Sequence, residues 1–318
     1  MWVAGSSRTT WVGRLVSDGR ITVLLAGFGG PESLDQVPAF VESVLGRVPP
    51  DHVIPAALNR YRTIGGGSPL PGTTRRQAKL LGEELGRRGL DAEVHVGMLH
   101  AKPTIDETAD RIGEDGSDDV YVLSLAPYRC EVSTDAYEAA VSRAFEGRSR
   151  GLLFGPDWNA HPGYVAALAD MLADALARAP RGTPVIFAAH SLPQRMIEQG
   201  DPYADQLAET AEAVALTVGL DEWHVAYQSV SAAAREPWLG PSVEEVMEGL
   251  ADSGVTSVMV DPIGFIADHV ETLYDNDVEH KARATSLGLE FHRCACLNEH
   301  PGLIGAFADI IEAMSQSG

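Results

Sequence analysis

The chain has 318 residues, 45% of them hydrophobic and 22% charged, a balance that excludes a mainly disordered protein and provides length for two domains. With 24 Lys and Arg against 45 Asp and Glu, its formal net charge is −21, which makes it a poor non-specific partner for nucleic acid or anionic lipid unless a local basic patch overrides the average. The three cysteines, Cys130, Cys294 and Cys296, cannot all pair, which argues against a secreted disulfide framework.

Residues 1–20 carry three arginines and one acid without a continuous apolar core, and are read as a flexible extension. Short apolar runs at 21–26, 92–96, 120–124, 150–154, 185–189, 222–228, 257–261 and 289–292 read as strands. Helical patterns lie between them. Residues 73–88 place Leu80, Leu81 and Leu85 near one face, and 162–179 is an Ala/Leu-rich stretch closed by Pro180 and Gly182. Residues 201–218 and 242–253 follow, the latter with Ser242 as N-cap and Glu244 and Glu245 in its first turn. No run approaches the roughly 18–20 apolar residues of a membrane helix.

This alternation predicts an α/β protein with parallel sheets flanked by helices. Two similar lobes are expected, over 21–149 and 150–300, with the final helix of 301–318 packing back on the first. Ligands of open parallel sheets bind beyond the carboxyl ends of the strands, so the residues just after strands are the candidates for chemistry.

His190 follows the strand 185–189 immediately, in Ala-His-Ser-Leu-Pro. Position alone also allows a core histidine bonded to backbone. After the strand 257–261, a Pro–Gly turn leads into a helix expected from about Asp268. There Glu271, Asp275 and Glu279 are spaced i, i+4, i+8 on one helical face. Stacked carboxylates repel, and a transiently hydrated divalent cation is their natural compensation. The alternative is a solvated acidic face. The glycines of Arg60-Tyr61-Arg62-Thr63-Ile64-Gly65-Gly66-Gly67-Ser68 let backbone approach a flat or anionic ligand, and Arg60 and Arg62 suit carboxylates.

Six segments in order carry a resemblance: Ile-Gly-Gly-Gly-Ser-Pro-Leu (64–70), Ala-His-Ser-Leu-Pro (189–193), Gly-Asp-Pro-Tyr (200–203), Tyr-Gln-Ser (227–229), Trp-Leu-Gly-Pro (238–241) and Phe-Ile-Ala-Asp-His-Val-Glu-Thr-Leu-Tyr-Asp-Asn-Asp (265–277). Together they resemble the ferrochelatases over nearly the whole chain, most nearly the soluble bacterial coproporphyrin III ferrochelatases. The resemblance implies a class II chelatase-like fold of two Rossmann-like lobes around a porphyrin cleft. It implies a cytoplasmic enzyme that inserts Fe²⁺, its substrate metal, into coproporphyrin III or protoporphyrin IX in haem biosynthesis.

Carried over by motif, the resemblance makes His190 and Glu271 the catalytic pair on opposite sides of the macrocycle. Asp275 and Glu279 become further carboxylates along the metal path. Phe28, Arg60, Tyr61, Ser68 and Tyr137 fall at porphyrin-contact positions, and Arg47 is the basic residue for propionates. Phe28 stands where the coproporphyrin type often has a tyrosine, and phenylalanine cannot ligate iron. In the mechanism expected, the lobes grip and bend the ring to expose its nitrogen lone pairs. His190, neutral near its ordinary pKa of about 6.5, accepts a pyrrole proton. The reverse assignment has His190 delivering metal and Glu271 taking protons.

Some ferrochelatases hold a [2Fe–2S] cluster by one mid-chain cysteine and three near the carboxyl end. Cys130, Cys294 and Cys296 fall near such positions, with Pro301 where the fourth would stand and His300 as a substitute ligand. The alternative is three small buried residues. The rival functions are a chelatase for another metal or tetrapyrrole and a non-catalytic porphyrin or haem carrier. The expected partners are the porphyrin and Fe²⁺, with no nucleic acid. A monomer is expected, and peripheral membrane contact stays open.

Overall fold

The protein is described here by a computed structural model, which covers residues 20–114, 119–148, 151–230 and 235–317. The extension expected over 1–20 lies outside the described residues except for Arg20, as does residue 150 at the start of an expected strand.

The first half runs β1 (Ile21–Gly27), a single 3-10 turn (Leu34–Gln36), α1 (Val37–Leu45), α2 (Val53–Thr63), α3 (Leu70–Arg87), β2 (Ala92–Met98), α4 (Ile105–Glu114), β3 (Asp119–Ser124), α5 (Thr134–Ala144) and β4 (Gly151–Phe154). The second half runs α6 (Pro162–Leu176), β5 (Val185–His190), α7 (Gln194–Glu198), α8 (Tyr203–Val218), β6 (Trp223–Gln228), α9 (Val243–Asp252) and β7 (Ser257–Asp261). A π-helix (Glu271–His280) continues into α10 (Lys281–Ser286), followed by β8 (Glu290–Arg293) and α11 (Pro301–Ser317). All eight expected strands form, with ends shifted by at most two residues. They are legible because strands of a helix-covered parallel sheet are apolar on both faces, and every residue of β1 and β7 is buried.

Two four-stranded parallel sheets result, in the orders β2-β1-β3-β4 and β6-β5-β7-β8. β4 hydrogen-bonds to β3, so the chain changes sheets between Phe154 and Val185. In each sheet the chain goes from a central strand to one neighbour and crosses back to the other side. The reversal falls at the carboxyl end of β1 in one sheet and of β5 in the other, where such sheets open a crevice for ligands. Phe28 directly follows the first, and His190 ends the second.

Helix ends follow local chemistry. Ser242 caps α9 as expected: its hydroxyl accepts from the Glu245 N–H at 3.2 Å, and the Glu245 carboxylate accepts from the Ser242 N–H at 2.7 Å. α11 buries Leu303, Phe307 and Ile311 completely and packs against α3 and α6, bridging elements from both halves.

One expectation about helix type is corrected. The segment carrying Glu271, Asp275 and Glu279 is a π-helix, closed by i→i+5 hydrogen bonds, rather than an α-helix starting near Asp268. Its wider turn changes which residues face inward: Asp275 and Asn276 are buried side by side, and Glu279 is exposed.

Candidate active site

The geometry starts at His190. Its Nδ1 lies against the Ser191 carbonyl, which fixes the ring proton there and leaves Nε2 to face Glu271 Oε1 at 3.6 Å. The Tyr203 hydroxyl donates to the His190 carbonyl at 2.9 Å and holds the strand end. Gly264 lets the loop after β7 close on this point. A Cβ there would lie 2.6 Å from the Ala189 Cβ, while its N–H donates to the Ala188 carbonyl at 3.1 Å.

Glu271 lies between two imidazoles. Its Oε2 is 3.7 Å from Nε2 of His269, whose Nδ1 is buried without a partner. Burial works against a charged His190, but the Glu271 carboxylate outweighs it and raises the imidazole above its ordinary value. Burial likewise opposes a charged Glu271, yet His190 and then His269 hold its carboxyl well below the usual range. The expectation of an unshifted His190 is therefore corrected: Glu271 raises its imidazole. His269 was missed in the sequence reading. Its signal was an imidazole two residues before Glu271 in the same turn.

Next to this pair is a cavity of about 690 Å³. Asn59 and Arg60 of α2 line one side, and Glu271, Tyr274, Asp275 and Glu279 of the π-helix line the other. Asp275 is held twice. Ser229, in the left-handed region at φ +62°, donates its hydroxyl to Oδ2, and Arg60 forms an ion pair with Oδ1. The Arg60 guanidinium also stacks 4.9 Å from the Tyr274 ring centroid.

The other expected porphyrin contacts are spread more widely. Tyr61 is buried, and its hydroxyl is pushed up by burial and then by Glu271. Its ring meets Phe40 edge-on at 6.4 Å, and Phe40 meets Phe28 at 6.2 Å. Phe28 also contacts His100 at 4.7 Å, so an aromatic row leads from the end of β1 toward Glu271. Ser68 is buried, its N–H donating to the Pro31 carbonyl at 2.7 Å. Its neighbour Gly67 allows that approach, since a Cβ there would strike the Glu32 carbonyl oxygen at 2.3 Å. Arg47 is exposed between α1 and α2. Tyr137 is buried in the core of the first sheet with Leu24, Ala26 and Val141.

The ferrochelatase family model matches residues 20–315. The chain belongs to the ferrochelatase family. It is thus a metal-chelating enzyme of the kind that inserts iron into porphyrin. The ferrochelatase of Deinococcus radiodurans is 37% identical over 299 residues, covering 91% of this chain and 94% of that one. The coproporphyrin III ferrochelatase of Halalkalibacterium halodurans is 33% identical over 305 residues, covering 92% and 96%. Among solved structures, the sirohydrochlorin chelatase SirB from Bacillus subtilis subspecies spizizenii, in complex with cobalt, superposes with a TM-score of 0.57. It covers 94% of this chain and 96% of that one at 11% identity, a likeness of fold.

In this ferrochelatase-family chain the iron–sulfur cluster expected of the cysteines finds no support. Among the described residues, no three His, Cys, Asp or Glu side chains converge as a metal-binding group. All three thiols are buried, and burial pushes each of them up. Cys130 contacts the Ser133 hydroxyl at 3.0 Å, and the Cys294 thiol turns to the Ala295 carbonyl. They behave as small core residues. Nor do His190, Glu271, Asp275 and Glu279 gather into a cage. Glu271, Asp275 and Glu279 line one wall of the cavity, with His190 paired to Glu271 and Arg60 to Asp275.

Proposed function

We propose that the chain inserts Fe²⁺ into coproporphyrin III, with the macrocycle between the aromatic row at Phe28 and the His190–Glu271 pair; at 3.6 Å the two side chains leave no room for a ring between them, so both face it from one side and not from opposite sides as expected. The observation that carries this reading is the 3.6 Å pair beside a carboxylate-lined cavity. Insertion exchanges two pyrrole protons for one dication. In its neutral form His190 Nε2 takes one pyrrole proton, releases it to solvent and then takes the second, a task that its raised proton affinity suits. Glu271, Asp275 and Glu279 present hard oxygen donors along one wall and exchange stepwise with the waters of Fe²⁺. A row, rather than a cage, suits a metal that must leave.

Phe28 packs on the ring face without ligating iron, and Arg47, Arg60, Tyr61 and Ser68 lie on the propionate side. The exposed Arg47 is free to swing onto a carboxylate. Tyr137 supports the floor from within the core rather than touching the ring. Coproporphyrin III is favoured because several relatives bear that substrate in their names. The test is anaerobic Fe²⁺ insertion followed optically with coproporphyrin III and protoporphyrin IX side by side. Faster turnover of coproporphyrin supports the reading, and faster turnover of protoporphyrin overturns the substrate. Tight one-to-one binding of either without insertion overturns the enzyme in favour of a carrier.

A further inference from the structure

The π-helix is held from outside by the strap between β8 and α11. Asp268 stands three residues before Glu271. Its Oδ1 accepts from the Thr272 hydroxyl at 3.1 Å and from Arg293 Nη1 at 3.1 Å. Its Oδ2 accepts from Asn298 Nδ2 at 2.8 Å, and its N–H donates to Asn298 Oδ1 at 2.9 Å. Arg293 reaches further: its Nε lies 2.7 Å from Asp277 Oδ1. One guanidinium therefore ties the turn before the π-helix to a residue in its second half.

Asn298 completes the strap. It adopts φ +49°, a left-handed backbone that asparagine tolerates better than most residues. That conformation directs its side chain to Asp268 while its carbonyl accepts from Gln77 Nε2 of α3 at 2.7 Å. The strap thus links the carboxylate helix to a helix of the first sheet.

A π-helix is rare because its hydrogen bonds are poorer than those of an α-helix, so it needs contacts that exist only in the wide form. Relaxation to α pitch would rotate every residue past the change relative to those before it. Asp275 would then turn relative to Glu271, away from Ser229 and Arg60, which hold it in place.

We infer that Arg293 and Asn298 are positioning residues that hold the π-helix at its wide pitch and so keep Asp275 against Ser229 and Arg60, beside Glu271. The claim about positioning rests on the proposed route for iron; the claim about the helix does not. The strap that carries Cys294 and Cys296 works through its arginine and asparagine instead of its thiols.

The test uses the full chain with Arg293→Gln, Arg293→Lys, Asn298→Ala and, as a charge-matched control on the neighbouring helix, Arg283→Gln. Amide hydrogen exchange over 271–280 should quicken by about tenfold in Arg293→Gln and Asn298→Ala, the size expected for a lost charge-assisted bond. Strand amides and the control should keep wild-type protection. In turnover, KM for Fe²⁺ should rise and kcat fall, while KM for porphyrin stays within about twofold of wild type. Arg293→Lys, which keeps the charge but not the two-ended reach, should recover part of the loss. Unchanged exchange over 271–280 in both variants overturns the clamp. Protection lost evenly across the molecule, with both KM values raised alike, overturns the positioning role in favour of a merely structural one. Should Arg293→Gln fail to fold, Asp277→Asn cuts one arm only and carries the same readouts. Should the wild type insert no iron, the proposed function fails, while exchange still decides the clamp.

Discussion

Arg60 of α2 forms an ion pair with Asp275 of the π-helix, joining the two halves of the molecule across the cavity that separates them. The Asp275 side chain is 4% exposed and that of Arg60 35%, so the carboxylate depends on this partner and on Ser229 for its compensation.

Arg60→Ala should therefore destabilise the protein by roughly 1–3 kcal/mol, less than for a wholly buried pair because the arginine is partly solvated. Most of that loss is the charge left behind. Urea unfolding of Arg60→Ala, Asp275→Asn and the double variant forms a cycle, and the double variant should be more stable than the sum of the singles predicts. Strict additivity would show that the pair contributes nothing.

His190→Ala and Glu271→Gln should each lower iron insertion by about 10²–10⁴-fold with the fold intact, the range for loss of a positioned proton carrier. Circular dichroism and anaerobic turnover measure both halves of that statement. Near-normal rates in both variants would remove the pair from the mechanism.

The same pair sets a pH dependence. His190 is raised by Glu271, so the stabilisation from its proton is complete below the ordinary imidazole value of about 6.5 and is lost as pH rises through the raised one. Insertion should show the opposite limb, rising with pH as Nε2 is freed to accept. In Glu271→Gln the imidazole should titrate at lower pH than in wild type, measured by NMR of the His190 ring. An unmoved or higher value would contradict the ion pair.

Asp261, at the end of β7, is 3% exposed with one oxygen unpartnered, and burial pushes its carboxyl up to about 7. Its contribution to stability is present in full below the ordinary aspartate value of about 3.9 and is lost as pH rises through 7. Asp261→Asn should therefore be more stable than wild type at pH 8, by on the order of 2–4 kcal/mol, with the difference shrinking toward pH 5. Thermal unfolding across that range checks the sign; a variant less stable at pH 8 would refute it.

Replacing Cys130, Cys294 and Cys296 together by alanine should leave the iron-insertion rate unchanged and remove only packing, about 1 kcal/mol for each small buried group. Protein purified anaerobically from cells fed with iron should lack iron–sulfur absorption. A cluster spectrum that vanishes in the triple variant would overturn the assignment of these thiols to the core.

The architecture was open to reading residue by residue. Strands such as Val185–His190 are buried on both faces, so each displays its apolar run without reference to distant chain, and α9 carries its own cap in Ser242 and Glu245. His190 could be placed at a strand end for the same local reason. The i, i+4, i+8 row of Glu271, Asp275 and Glu279 was visible too, because periodicity is a property of neighbours.

Other features needed the folded chain. The π form of that row depends on bonds that come from outside it, through Arg293 and Asn298. Whether Cys130 would join Cys294 and Cys296 turned on how the two sheets pack, which a Cys-x-Cys spacing does not encode. Arg60 and Asp275 stand far apart in sequence and meet only because α2 folds over the mouth of the other half. Local sequence chose the elements and supplied the ionisable groups. Only long-range packing decided which charges face one another, and the raised imidazole of His190 and the depressed carboxyl of Glu271 follow from that proximity.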